Sequence, residues 1–133
     1  MIDAFFDHSE TTEAVTVRVT ASFQDETSDP SNGRWFWVYH IRIENGSDVE
    51  VQLLDRSWTI TDGRGAVHLV EGAGVVGEQP VIKPGASFDY VSGCPLSTPT
   101  GQMQGDYGMI DANGRRFRVA IPAFPLLDPA ISS

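Results

Sequence analysis

Polar and apolar residues alternate along most of the chain with a period of two, the spacing of a strand with one face buried. Val15, Val17, Val19, Ala21 and Phe23 share one side of the segment from Ala14 to Phe23, and Thr16, Arg18, Thr20 and Ser22 share the other. From Trp35 to Glu44 the larger set Trp35, Trp37, Tyr39, Ile41 and Ile43 is expected to face the core. Asn45-Gly46 then predicts a tight reversal into a hairpin partner running from Val49 to Thr61. Val51 and Leu53 are out of phase with Leu54, Trp58 and Ile60, so a bulge near Leu53-Leu54 is needed to keep one buried face.

Asp62-Gly63 with Gly65 marks a turn before a short strand from Ala66 to Val70 and a glycine-rich loop from Gly72 to Gly77. Further strands are read at Phe88, Tyr90 and Ser92, at Met103 to Met109, and, after Asn113-Gly114, at Phe117, Val119 and Ile121. The Cys94-Pro95 to Pro99 stretch reads as a loop, and the tail from Pro122 is expected to pack Phe124 and Leu126 or Leu127 against the body. About seven to eight strands without a helix predict an all-β, antiparallel sandwich of the immunoglobulin or fibronectin type III kind. One domain spanning 1–133 is expected, with loose ends at 1–11 and 128–133.

Charge narrows the choice of partners. Asp and Glu outnumber Lys and Arg 18 to 9, and the net charge of -9 repels nucleic-acid backbones and anionic membranes, so neither is expected as a partner. Arg115, Arg116 and Arg118 form the one basic cluster and read as a solvated sheet face. A single cysteine, Cys94, leaves no internal disulfide and no thiol pair for a metal. The start of the chain lacks a signal-peptide pattern, and no apolar run approaches the roughly 18 residues of a membrane span, so the cytoplasm is the expected setting.

Motifs for chemistry are sparse. His8, His40 and His68 have no metal-ligand spacing, Cys94 has no basic neighbour in sequence, and the carboxylates fall in loops or on solvent faces; no catalytic residue and no cofactor is assigned. Gly72, Gly74 and Gly77 have the spacing of a dinucleotide fingerprint, but Pro80 and Pro84-Gly85 leave no room for the helix that chemistry requires. Two readings remain for these glycines: a nest of amides for a small phosphate-bearing ligand, or loop geometry alone. Arg56 and Trp58 lie two apart on one strand face, either as a guanidinium stacked on an indole to frame a pocket or as a core tryptophan with an arginine at its rim.

Several segments together resemble the bacterial ApaG family: Tyr39 to Asn45, Val51 to Asp62, Gly72 to Pro80, Tyr90-Val91-Ser92-Gly93, Gly101-Gln102-Met103, Gly105 to Met109, and Phe117 to Pro122 with Phe124. Val91 departs from the pattern, which usually carries Thr there. The resemblance implies a fibronectin type III-like sandwich. It occurs alone in bacteria and as one domain of larger eukaryotic proteins, including F-box proteins and a polymerase-interacting protein. The family's name and gene context link it to diadenosine tetraphosphate hydrolysis, and it has been associated with cobalt and magnesium handling. The resulting expectation is a non-catalytic module that binds a protein partner, its oligomeric state open and a homodimer included. The alternative is a sensor of small anions or dinucleotide polyphosphates through the glycine motif, with a link to divalent cation homeostasis.

Overall fold

The computed structural model describes residues 6–132. The strands are β1 (His8–Thr12), β2 (Val15–Phe23), β3 (Trp35–Asn45), β4 (Val51–Asp62), β5 (Val67–Ala73), β6 (Val81–Ile82), β7 (Ser87–Leu96), β8 (Thr100–Asp111) and β9 (Arg116–Leu127), followed by a four-residue helix, α1 (Pro129–Ser132). They form two antiparallel sheets, one ordered β1-β2-β3-β7 and the other β5-β4-β8-β9 with β6 also on β4. The core lies between them, as the alternation predicts. Val15, Val17, Val19, Trp37, Ile41 and Ile43 from the first sheet meet Leu53, Trp58, Met103, Tyr107, Val119 and Phe124 from the second.

Two turns form as expected. Asp62 Oδ1 accepts the amides of Arg64 and Ala66 with Gly65 at φ 87°, and Asp111 Oδ1 accepts those of Asn113 and Arg115 with Gly114 at φ 81°. Asn45-Gly46 is different and corrects the expected hairpin. Gly46 does not take a positive φ, and β4 pairs with β8, β5 and β6 rather than with β3. Asn45 is 1% exposed; its amide donates to the Val49 and Ile82 carbonyls, and its Oδ1 accepts from Ser47. The side chain brackets a crossover from one sheet to the other instead of closing a turn within one.

The bulge in β4 falls where the phase change requires it, between Leu53 and Asp55 in the pairing with β8. Leu54 is the extra residue, so Leu53, Arg56, Trp58 and Ile60 face inward opposite Met109, Tyr107, Gly105 and Met103.

Further corrections concern strand ends. β1, inside the end expected to be loose, pairs with β2 through a two-residue turn at Glu13 and Ala14, both at positive φ, so the second strand starts at Val15 rather than Ala14. Residues 1–5 of that expected end lie outside the described residues. β7 runs through Pro95 to Leu96, and β9 through Pro122 and Pro125 to Leu127. Both are outer strands, where a proline can leave its missing N–H on the unpaired side. Phe124 and Leu126 are buried while Leu127 is exposed. Asp128, inside the second expected loose end, is 7% exposed and accepts from Trp35 Nε1 at 3.1 Å.

Candidate functional site

β9 packs across from β1 and β2. That closes one side of the sandwich and leaves the outer strands β5 and β7 on the other, where the sheets part around a cleft of about 700 Å³. The volume lies in the range of small-ligand pockets. Trp58, Ile60, Val70, Leu96 and Met103 supply apolar wall, Arg34, Arg56 and Asp62 supply charge, and His68 supplies an imidazole.

Trp58 is 3% exposed and packs edge-on to Tyr39 at 5.5 Å and Phe124 at 6.0 Å, so it is core and cleft floor together. Arg56 lies on the same face, and the bulge at Leu54 is what brings both residues onto the inward side with Leu53. Its guanidinium is not stacked on the indole: among the described residues the cation-ring contacts are Arg42 over Phe6 and Arg115 over Phe117. Arg56 Nη1 instead donates to the Ala73 and Gly74 carbonyls at 3.2 and 2.9 Å. Arg42, Arg115 and Arg118 each pair with carboxylates, which accounts for most of the basic cluster near the last turn. Arg56 has carbonyl partners alone among the described residues.

The glycine motif is not one loop. Gly72 belongs to β5 opposite Arg56, and a methyl group on it would lie 3.0 Å from Arg56 Nη1. Gly74, at φ 66°, starts a hairpin whose two-residue turn is Val76 (φ 44°) and Gly77 (φ 82°), closed by the Val75–Glu78 bridge. The amides of Gly74, Val75 and Glu78 already donate to the carbonyls of Leu54, Glu78 and Val75. The motif therefore turns carbonyls toward a cation, opposite in polarity to an amide nest for an anion.

Asp62 is held by the Arg64 and Ala66 amides with His68 at 3.9 Å, so the cleft's acid is occupied by its own turn while Arg34 and Arg56 give the cleft a positive bias in a chain of net charge -9. Burial pushes the Cys94 thiol up to about 11, so at neutral pH it is protonated and a poor nucleophile. Among the described residues no three His, Cys, Asp or Glu side chains converge to hold a metal ion, and no helix is long and apolar enough to cross a membrane.

Alternation alone marks Tyr39, Tyr90 and Tyr107 as core, but Tyr90 and Tyr107 hydrogen-bond to each other through their hydroxyls, and Tyr39 stands opposite Ser92 on the neighbouring strand. The signal in the sequence is tyrosine in place of phenylalanine at inward positions of three strands, since a buried hydroxyl needs a partner. Burial raises the pKa of Tyr107 well above the usual phenol value of 10 and raises Tyr90 and Tyr39 in the same direction. Raised acids stabilise the fold fully below the unfolded value and lose that contribution as pH climbs through the folded one. Cys94, raised from 9.0 to about 11, starts this loss near pH 9, and above pH 10 the fall is expected to steepen by up to roughly 1.4 kcal/mol per pH unit for each buried tyrosine. Urea midpoints of the wild type and of a Tyr90→Phe, Tyr107→Phe double variant check this. An equally steep alkaline fall in the variant would remove these hydroxyls as its source.

The ApaG domain family model matches residues 25–111. A protein ApaG from Rhodospirillum centenum is 49% identical over 122 residues, covering 92% of this chain and 94% of the relative. One from a Methylobacterium species is 51% identical over 120 residues, covering 90% and 92%. Among solved structures, the ApaA protein of Bordetella pertussis superposes with a TM-score of 0.84 at 45% identity, covering 86% of this chain and 94% of that one. On matches of this extent in both sequence and fold, the chain belongs to the ApaG domain family.

Proposed function

We propose that this chain is a non-catalytic binding module that recruits a partner protein by accepting an extended segment as a further strand on the open edge of β5. The observation that carries the proposal is β5 itself. Proteins usually blunt an outer strand with charge, proline, a bulge or brevity. β1 is five residues long and polar, β7 contains Asp89 and Pro95, and β9 contains Pro122 and Pro125. β5 carries Glu71 near its end, but Val67-His68-Leu69-Val70 before it has none of these devices, and Leu69 is 73% and Val67 58% exposed. Strand addition would use the unpaired backbone groups for affinity and alternate side chains for selection. The same proposal sets the encounter in the cytoplasm, for which a lone thiol is suited. The amide-nest alternative has less support, because the Gly74, Val75 and Glu78 amides of the motif are already donated to carbonyls.

A photo-crosslinking residue at position 69 is expected, in the native host, to capture a protein whose contacting segment, made as a peptide, binds the chain and slows amide exchange in β5. Leu69→Lys should weaken that binding at least about tenfold with the melting temperature unchanged, since covering a leucine side chain is worth about that much or more. Capture of the same proteins by a probe at Glu10 on β1 would count the surface as nonspecific and sink the reading.

A further inference from the structure

The cleft beside β5 gives that edge a selectivity: we propose that the guest strand carries an acidic side chain which enters the cleft beside Gly72 and is held by Arg56. This rests on the strand-addition reading and adds the chemistry of the guest to it.

In a strand alternate residues share a face, and a neighbouring strand about 4.8 Å away repeats the same alternation. On the inward side of β5, His68 and Val70 line the cleft and Gly72 follows them by alternation, opposite the inward positions Ile60, Trp58 and Arg56 of β4. A segment added outside β5 therefore projects every second side chain into the mouth between β5 and β7. At Val70 and Trp58 the wall is apolar, so an apolar guest side chain fits there. At Gly72 β5 has no side chain, and the Arg56 guanidinium lies directly behind it.

Nη1 of Arg56 is engaged by two carbonyls, whereas Nε and Nη2 have no hydrogen-bond partner among the described residues. None of the described buried side-chain nitrogens and oxygens lacks a partner, so these remaining donors open onto solvent rather than into packed core. Nε with Nη2 is the guanidinium edge that receives a carboxylate through two parallel hydrogen bonds. No carboxylate among the described residues occupies it: Glu71 lies on the opposite face with Ser57, and Asp62 is bound to its own turn. The Ala73 and Gly74 carbonyls beside Nη1 favour a monoanion over the denser charge of a phosphate.

Nitrogen-15-labelled full-length chain titrated with three blocked heptapeptides tests this. All three alternate threonine with valine at the flanking inward positions, and the central residue is glutamate, glutamine or phosphoserine. The glutamate peptide is expected to shift the amides of Val67 to Ala73 and to bind about tenfold more tightly than the glutamine peptide, the worth of a charge-assisted bond in a partly screened site. Arg56→Gln, its spectrum otherwise that of the wild type, should equalise the two. Equal binding of glutamate and glutamine peptides to the wild type overturns the acidic selectivity and leaves strand addition standing, and this comparison needs no variant. Tighter binding of the phosphoserine peptide overturns the carboxylate class. No shift in β5 with any peptide overturns strand addition and the selectivity together.

Discussion

Trp58→Ala is expected to lower the free energy of unfolding by about 3 to 5 kcal/mol, a large share of the 5 to 15 typical of a domain. The indole is 3% exposed and touches Tyr39 from the first sheet and Phe124 from the far strand of its own, so it joins the layers at the point where they begin to part. Truncation forfeits the buried area of the largest side chain on β4 and leaves a void. Because that void adjoins the cleft, water can enter it, which moves the expectation toward the lower end of the range. Urea unfolding followed by circular dichroism measures the effect. A loss below about 1 kcal/mol would mean that the indole is a replaceable rim residue and not the floor of the cleft. Trp58→Phe, which keeps an aromatic edge against Tyr39, should lie between the wild type and the alanine variant.

The dual role of Trp58 shows which parts of this molecule alternation can reveal. Inward faces were legible wherever one side of a strand is buried, since a one-residue slip would expose the whole set; Val15 to Val19 and Trp37 to Ile43 are examples. The β4 bulge was legible for the same reason, as a change of phase. Sheet membership was not. Asn45-Gly46 has the local chemistry of a hairpin turn, but Asn45 donates to a carbonyl 37 residues away, a nonlocal bond that no dipeptide signal carries. Proline hid the ends of β7 and β9, because its penalty in a strand disappears on an outer edge and edges are a property of the assembled sheet.

The site was less legible than the fold. Arg56 and Trp58 were found by their shared face, yet the partner of Arg56 depends on where Ala73 and Gly74 fall, not on the indole two residues away. Glycine spacing matched a phosphate motif although Gly72 serves as a gap in a strand and Gly77 as a turn residue, because spacing does not specify conformation. The cleft exists only through the adjacency of β5 and β7, 14 residues apart from Ala73 to Ser87 but in different sheets.

Gly105 carries the other large expected effect, and it arises from backbone approach rather than from burial. It lies on β8 opposite Trp58 on β4 and Ile121 on β9, at a break in the β8–β9 register. Its φ is not positive, so alanine would meet no intrinsic backbone strain. The added methyl group would overlap the Ser57 carbonyl oxygen and lie 3.1 Å from the Ser57 carbonyl carbon and 3.2 Å from Trp58 Cα. These are main-chain atoms of the neighbouring strand; no rotamer change relieves them, and the strands must separate or slip. Gly105→Ala is expected to cost about 3 kcal/mol, at the upper end of overpacking effects, and to accelerate amide exchange in both β4 and β8. Gly77→Ala makes the contrast. It has open space around it but φ 82°, so it should cost about 1 to 2 kcal/mol through conformation alone and leave exchange in β4 and β8 unchanged. If Gly105→Ala unfolds at the wild-type urea concentration, β4 and β8 do not approach as closely as the structure has them. The pairing that turns Arg56 inward would then lose its support, because Ser57 stands between Arg56 and Trp58 on the same strand.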